Sequence, residues 1–251
     1  MQRILRLVGL SPNGHEQQEV CFEGRDGSPH TVRKHGKLTA DLTEPPPADA
    51  PLVVQVSRWD RLKDMAGVMT AFAEGVASEH PDSYLLLVGP DVSGVADDPE
   101  GAEVLAECEA QWRELPDEVR RRVLLVRVPM VDLNENALIV NAIQRRAAVV
   151  VQKSIAEGFG LTVTEAMWKG RPMVASAVGG IPDQIESGVQ GILVDPHDIK
   201  ATGTAISELL SDTTRAEQIG DAARERVRSQ FLGDRHLGQY VELFGQLIEG
   251  D

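Results

Sequence analysis

The segment 157–165 combines two carboxylates and two glycines with the start of a helical pattern. Glu157 and Glu165 stand at its two ends, with Gly158 and Gly160 between them. Glycines let a backbone approach a ligand closely, and an apolar helical pattern begins just after them, so its first-turn amides would attract phosphate. Carboxylates at both ends could bind sugar hydroxyls. A structural explanation stays open, because glutamates favour a helix's first turn and glycine pairs mark ordinary turns.

Two cations occupy an earlier loop. Arg58 and Lys63 are five residues apart and stand just before a helical pattern. Such a pair could clamp a diphosphate, since arginine binds phosphate oxygens in a bidentate manner and lysine adds a compact point charge. Together they would stabilise a leaving group that gains negative charge. The alternative is a solvated turn in which Asp60, Arg61, Lys63 and Asp64 pair with one another.

These segments need elements that bring them together. From Leu52 onward, short apolar runs alternate with longer amphipathic stretches, which predicts an α/β fold with a doubly wound, Rossmann-like parallel sheet. Ligands bind such sheets at the carboxyl ends of the strands, where both segments fall. The predicted strands are 52–57, 84–89, 123–126, 148–151, 172–175 and 191–194, and the predicted helices are 65–78, 101–114, 134–145 and 162–168.

The first fifty residues differ from this pattern. Residues 1–50 show weak periodicity and end in the proline-rich run 44–51, which we interpret as a linker. Within them, the runs 19–22 and 31–34 predict a short hairpin. We therefore divide the chain into an amino-terminal extension and a binding domain with a helical tail, residues 51–251.

The carboxyl end is helical in pattern from residue 198 onward. Its last segment has apolar residues at helical spacing, so it predicts a helix with one apolar stripe that must pack against something. The residues of the stripe are Leu237, Tyr240, Val241, Phe244, Leu247 and Ile248.

Composition excludes several classes of protein. The formal net charge of -14 argues against a nucleic-acid partner, because phosphate binding requires clustered positive charge. The two cysteines are far apart and suggest neither a disulfide framework nor a zinc site. No stretch is apolar enough to span a membrane, and Arg3 and Arg6 interrupt the opening apolar run, so we expect a cytoplasmic protein.

With its neighbours, the segment 152–167 resembles the donor-site signature of the retaining GT-B glycosyltransferases, in which seven residues separate two glutamates. Arg58 with Lys63 resembles the phosphate-clamping pair of that family. The resemblance covers roughly residues 52–231. Three further segments are also similar to the family: 170–175, 178–182 and 188–194. The sequences of 97–101, 152–154 and 168–170 are most similar to those of its trehalose synthases and trehalose phosphorylases.

The resemblance implies a role for each matching residue. Arg58 and Lys63 would bind the donor's diphosphate, Glu157 the hydroxyls of the transferred sugar, and Glu165 the ribose. Gln152 and Lys153 are further candidates. Backbone groups of Gly158, Phe159, Gly160, Leu161 and Thr162 would contact sugar or phosphate, and those of Met130, Val131 and Leu133 would hold the base.

The implied reaction is retaining transfer of a hexose, with glucose favoured, from a nucleoside-diphosphate sugar to a small sugar acceptor. No metal or other cofactor is expected, because the cations and the helix amides would stabilise the leaving diphosphate. A complete GT-B enzyme has a second Rossmann-like domain in front, which fifty residues cannot form. We therefore expect association with a separate amino-terminal domain, or a homo-oligomer.

The front segment also has no counterpart of the histidine that the family usually places near the sugar. His15, His30 and His35 match no recognisable version of that motif and are expected to be solvated loop residues. Three alternatives to the transferase follow: a phosphorylase using inorganic phosphate in the same pocket, a non-catalytic nucleotide-sugar-binding module, and a structural fragment with an empty site.

Overall fold

A computed structural model describes residues 1–12, 19–24, 26–33, 44–92 and 99–249, without the side chains of residues 234, 236 and 249. The stretch 97–101 lies partly outside these residues. His15, His35 and Lys34, the last residue of the predicted hairpin, lie outside them. In chain order the elements are α1 (Gln2–Leu7), β1 (Val20–Glu23), β2 (Pro29–Val32), β3 (Leu52–Val56), a 3-10 helix (Arg61–Lys63), α2 (Met65–Gly75), β4 (Tyr84–Pro90), α3 (Pro99–Glu114), α4 (Asp117–Arg120), β5 (Val123–Val128), α5 (Leu133–Arg146), β6 (Val149–Gln152), α6 (Leu161–Trp168), β7 (Met173–Ser176), α7 (Ile181–Gln184), β8 (Ile192–Val194), α8 (Ile199–Ser211), α9 (Thr213–Gln230) and α10 (Gly233–Glu249).

The main sheet has six parallel strands in the order β5-β4-β3-β6-β7-β8. Its first three strands extend the sheet in one direction and its last three in the other. The predicted doubly wound α/β fold is therefore confirmed. The direction of winding reverses between β3 and β6, which are neighbours through Val53 with Val149 and Val54 with Val150. This reversal is the switch point at which open parallel sheets bind ligands.

Helices cover both faces of the sheet, which explains why its strands are apolar without alternation. Within β3, Val53 faces a core layer with α2, α3 and α8, whereas Val54 faces a second layer with α1, α5 and α6. In β6, Val149, Val150 and Val151 are all buried. Each continuous apolar run in the sequence therefore supplies both layers of the core.

The amino-terminal segment packs on α5. α1, which the sequence did not predict, buries Ile4 and Leu5 in the same core layer as Ile139 and Ile143 of α5. The predicted hairpin is confirmed as the antiparallel pair β1–β2. The proline-rich run contains no helix or strand among residues 44–51, and the boundary drawn there between extension and domain stays a prediction.

The carboxyl end consists of α8, α9 and α10, as predicted. The apolar stripe of α10 is solvent-exposed, with Leu237 at 67% and Ile248 at 79% of their full exposure. In the described part of the chain, no helix is both long and apolar enough to cross a membrane.

Candidate functional site

Lys63 and Glu157 meet at the switch point of the sheet. Lys63 ends the 3-10 helix that follows β3, and Glu157 lies in the loop that follows β6. The Nζ atom of Lys63 donates to Oε2 of Glu157 at 2.6 Å, and the two side chains are 15% and 13% exposed. The structure thus joins the cation and the carboxylate that the sequence placed 94 residues apart. Both groups keep some access to solvent, and therefore to a ligand.

Backbone and side-chain hydrogen bonds fix the loop that carries Lys63. Asp60 caps the 3-10 helix by accepting a hydrogen bond from the amide of Leu62 at 2.8 Å. The carbonyl of Leu62 accepts from the amide of Ile155 at 2.8 Å. The buried Gln55 donates to the carbonyl of Lys63 at 2.6 Å. The loops after β3 and β6 are therefore attached to each other beneath the ion pair.

The loop that carries Glu157 is held from two sides. Ser154 donates through its hydroxyl to Oε2 of Glu157 at 3.3 Å. On the other side, the amide of Gly180 donates to the carbonyl of Gly158 at 2.7 Å. Gly179, with φ +55°, packs so closely that a Cβ there would stand 1.8 Å from the carbonyl oxygen of Glu157. The segment 178–182, which is similar to the family in sequence, therefore supports the loop of Glu157 directly.

The amino end of α6 opens beside this pair. Its cap residue is Gly160, with φ +83°, and no side chain caps the helix. By contrast, Asp64, Asp132 and Asp198 each accept backbone amides at the starts of α2, α5 and α8. First-turn amides without a side-chain cap bind anions well. The predicted phosphate-binding helix end is thus present, but its occupancy remains a prediction.

The other predicted residues of this loop are mostly exposed. Phe159 and Leu161 are exposed, and Gly158 has no atom within 4 Å of where a Cβ would stand. Thr162 donates through its hydroxyl to Oε1 of Gln152 at 2.9 Å, so that hydroxyl is engaged within the protein. Glu165 lies in the second turn of α6 and is exposed.

Arg58 is placed differently from Lys63. Its guanidinium pairs with Asp60 at 3.0 Å and its side chain is 71% exposed. The alternative, a turn whose charged residues pair with one another, is wrong for Arg61, Lys63 and Asp64. Arg61 pairs with Glu107 of α3, Lys63 with Glu157, and Asp64 with Lys153.

The residues assigned to the base lie at another strand end. Met130, Val131 and Leu133 are exposed in and after the connection between β5 and α5. β5 is three strands away from β6, which corresponds to about 14 Å at the usual strand spacing. Met130, Val131 and Leu133 therefore lie at the carboxyl ends of the strands, as Glu157 does, but three strands away from it.

The expectation of a solvated His30 is wrong, because the hairpin packs against the start of α5. The ring of His30 is 18% exposed, and its Nδ1 lies 3.0 Å from Oδ2 of Asp132. Asn134 bonds the other ring nitrogen at 3.1 Å. The hydrogen bond from His30 lowers the pKa of Asp132 below its ordinary value of 3.8, with help from the amides that this carboxylate caps.

Two polar residues near the pair are buried, and one of them, Lys153, was a candidate that the resemblance implied. Lys153 is fully buried and pairs with Asp64. Ser57, at the end of β3, has a buried hydroxyl that makes no hydrogen bond to the described residues. The signal in the sequence was their position: Ser57 is the last residue of the predicted strand 52–57, and Lys153 stands two residues after the predicted strand 148–151. Among the residues that the structure describes, no group of three or more histidine, cysteine or acidic side chains is arranged to hold a metal ion.

A cavity of about 750 Å³ lies elsewhere, between α2 and α8. Glu74, Glu79, Lys200 and Glu208 are among its lining residues. None of the predicted site residues lines it. It provides a second location against which ligand binding at the switch point can be tested.

The fold and the strand order define the chain as a Rossmann-like α/β domain with its polar loops at the switch point. Residues 42–226 match the family "Glycosyl transferases group 1". The chain therefore belongs to the group 1 glycosyltransferases, and the resemblance seen in the sequence is confirmed.

Individual relatives agree with this assignment. A trehalose synthase of Rubrobacter xylanophilus is 42% identical over 200 residues, which are 80% of this chain and 44% of that protein. A trehalose phosphorylase of Pleurotus pulmonarius is 30% identical over 190 residues, which are 71% of this chain and 24% of that protein. The chain thus spans less than half the length of these curated relatives.

Solved structures share the fold. A sucrose-phosphate synthase from Thermosynechococcus elongatus matches with a TM-score of 0.64 and 34% identity, covering 82% of this chain and 47% of that one. The Anabaena protein HepE, solved in complex with UDP-glucose, matches with a TM-score of 0.64, covering 79% of this chain and 49% of that one. At 22% identity, the second likeness concerns the fold alone.

Proposed function

We propose that this chain is the donor-binding half of a retaining glycosyltransferase, which transfers a hexose from a nucleoside-diphosphate sugar to a small sugar acceptor and needs no metal ion. The observation that carries the proposal is the contact of Lys63 with Glu157 beside the amino end of α6. The cation and the helix amides there match the diphosphate of such a donor, and the carboxylate matches the hydroxyls of its sugar.

Each group has a defined task in the proposed reaction. As the anomeric bond to phosphate lengthens, negative charge grows on the diphosphate, and Lys63, the α6 amides and Arg58 stabilise it. Arg58 is solvent-accessible and must exchange Asp60 for the ligand. Glu157 accepts hydrogen bonds from the sugar and is assigned no covalent role. The acceptor hydroxyl then attacks the face from which the diphosphate leaves and gives its proton to the departing phosphate oxygen, so the anomeric configuration is retained.

The trehalose synthase relatives support glucose as the hexose. HepE shares the fold and was solved with UDP and with UDP-glucose, which is why UDP-glucose is among the donors to be tested.

Isothermal titration calorimetry with UDP-, ADP- and GDP-glucose tests this proposal. We expect one of the three to bind, and Lys63→Ala to weaken that binding roughly tenfold or more, because a charge-assisted hydrogen bond contributes about 1.5–3 kcal/mol. Arg58→Ala is expected to act in the same direction.

Matched controls separate the site from general charge effects. Lys200→Ala and Arg121→Ala each remove one exposed positive charge from another part of the chain and should leave the affinity unchanged. Wild-type affinity in both site variants would overturn the proposal. Thermal unfolding of each variant shows whether a lost affinity reflects a lost fold.

The phosphorylase relative favours a second candidate. In that reaction inorganic phosphate replaces the nucleotide diphosphate in the same cationic pocket, and trehalose is broken down. Phosphate-dependent release of glucose 1-phosphate from trehalose, without nucleotide-sugar binding, would favour this candidate over the transferase.

The chain spans less than half the length of its curated relatives, so a third candidate must be tested. This candidate is a module that binds the donor and does not turn it over. Donor binding, donor hydrolysis and hexose transfer should therefore be measured separately. Binding without hydrolysis or transfer by this chain alone would assign it the binding role and leave catalysis to an assembly with a separate amino-terminal domain.

A further inference from the structure

Lys153 is a buried cation directly beneath the candidate site. Its side chain is 1% exposed, and its Nζ donates to Oδ2 of Asp64 and to the carbonyl of Pro196, the latter at 2.8 Å. A buried ammonium requires such partners, because desolvation of an unpaired charge is costly. The side chain thus joins the end of β6, the start of α2 and the loop before α8.

Asp64 has an unusual backbone conformation. It lies in the left-handed region with φ 43° and ψ 48°, and it is the sole non-glycine residue with positive φ in the described chain. This conformation is unfavourable for residues with a Cβ, although aspartate tolerates it better than most. The side chain is fixed by Lys153 and by the amide of Gly67, which donates to Oδ1 at 3.0 Å. The ion pair therefore stabilises a strained turn.

This turn immediately follows Lys63. Because Asp64 is the cap residue between the 3-10 helix and α2, its φ and ψ set the direction from which the side chain of Lys63 projects. A second route makes the same connection: Gln55 accepts from the amide of Lys153 at 3.0 Å and donates to the carbonyl of Lys63 at 2.6 Å. Lys153 is thus attached to both ends of the peptide unit joining Lys63 and Asp64.

We infer that Lys153 is a positioning residue of the donor site: it holds Asp64 in the left-handed turn that presents Lys63 to Glu157. The inference rests on the proposed function for its consequence in donor binding. Lys153 itself does not contact the donor, because its side chain is buried and its ammonium is occupied by Asp64 and Pro196. It is distinct from the Lys63 cation, which remains partly accessible.

The test compares Lys153→Met with the double variant Lys153→Met/Asp64→Gly. In the single variant Asp64, which is 20% exposed, can turn its carboxylate to water and relax its backbone. In the double variant glycine adopts the left-handed turn without an anchor, no charge is left unpaired, and glycine remains an acceptable helix cap.

We expect the single variant to bind the nucleotide-glucose selected by calorimetry about tenfold more weakly, because small misplacements of a binding group are costly. We expect the double variant to recover to within about threefold of wild type. Hydrogen exchange of the Ile155 amide, which donates to Leu62, reports the loop directly. Its protection should fall in the single variant and return in the double variant.

Three results that involve donor binding would overturn the inference. One is wild-type affinity in a folded Lys153→Met variant. Another is a double variant with restored Ile155 protection that binds as weakly as the single variant, because Lys153 would then act on the donor itself. If the single variant does not fold, weak binding by the folded double variant is the third.

The exchange measurement separates this inference from the proposed function. If wild type binds no nucleotide-sugar, the proposed function fails, but the fall and recovery of Ile155 protection still support the role of Lys153 in positioning the loop. Unchanged protection in the folded single variant would overturn that role irrespective of any ligand.

Discussion

At the scale of single residues, the sequence predicted the groups proposed to bind the ligand, but it did not predict the contacts that hold those groups in place. Lys63 and Glu157 could be predicted because charged residues stood at the ends of apolar runs and matched a family pattern. The pair of Asp64 with Lys153 could not, because no periodicity links residues that are 89 positions apart and meet through the strand order of the sheet. The alternative that paired Arg61 within its own loop was wrong for the same reason, because the partners of Arg61 lie on α3.

An added methyl group is expected to change the stability of the protein by very different amounts at two glycines of the site. Gly179→Ala should destabilise the protein by about 2 kcal/mol or more, because its Cβ would collide with the carbonyl of Glu157 and its φ is positive. Gly158→Ala should change stability by less than about 0.5 kcal/mol, because nothing lies within 4 Å of its Cβ. Urea unfolding measures both.

Donor binding should distinguish the same two variants. Gly158→Ala places a methyl group on the open side of the Glu157 loop and is expected to weaken donor binding in a stable protein. Equal stability losses in the two variants would contradict the observed packing of Gly179. Unchanged donor binding in Gly158→Ala would place the ligand on another side of this loop.

At the scale of secondary-structure elements, the strands and the long helices were predictable from local patterns. Each strand is a single apolar run, and each long helix repeats an amphipathic pattern over several turns. The short elements α1, α4 and α7 were not, because four to six residues do not define a period. The hairpin was predicted, but its packing on α5 was not, because it depends on His30 meeting Asp132 across 102 residues.

The contact of the hairpin with α5 predicts a dependence on pH. Asp132 has a pKa below 3.8 in the folded chain, because His30 and the α5 amides bind its charged form. A lowered folded-state pKa contributes stability that is present above 3.8 and is lost as the pH falls through the lower value. The protection factors of the β1–β2 amides, which correct for the pH dependence of the intrinsic exchange rate, should therefore decrease as the pH falls below the ordinary pKa of Asp132.

The variant His30→Ala supplies the control for this transition. Without the ring, the hairpin should be less protected at neutral pH, and the loss of protection in acid should be smaller. An identical acid transition in wild type and His30→Ala would show that another carboxylate governs the contact. Asp26 is the neighbouring candidate, because a hydrogen bond from Ser28 also lowers its pKa.

At the scale of the whole molecule, the chain has a packed sheet domain and an exposed apolar helix. Two core layers fill both faces of the sheet, whereas Leu237, Val241 and Ile248 of α10 remain largely exposed. The sequence predicted this stripe and the need for a packing partner, because the stripe depends on local periodicity alone. The identity of a partner depends on another surface and has no local signal.

Removal of residues 233–251 is therefore expected to affect association more than folding. The melting temperature should change by less than about 3 °C, equivalent to 1 kcal/mol in a domain of this size. Self-association in sedimentation velocity should decrease, because a contiguous apolar surface is removed. A loss of more than about 8 °C would contradict the exposed position of α10.

The central claim is that a nucleoside-diphosphate hexose binds where Lys63, Glu157 and the amino end of α6 meet. Amide chemical-shift mapping during titration with the nucleotide-glucose chosen by calorimetry tests it most directly. The account predicts the largest changes at Lys63 and at residues 157–162, with little change around the α2–α8 cavity. Saturating binding with changes confined to that cavity, and none at the switch point, would contradict it.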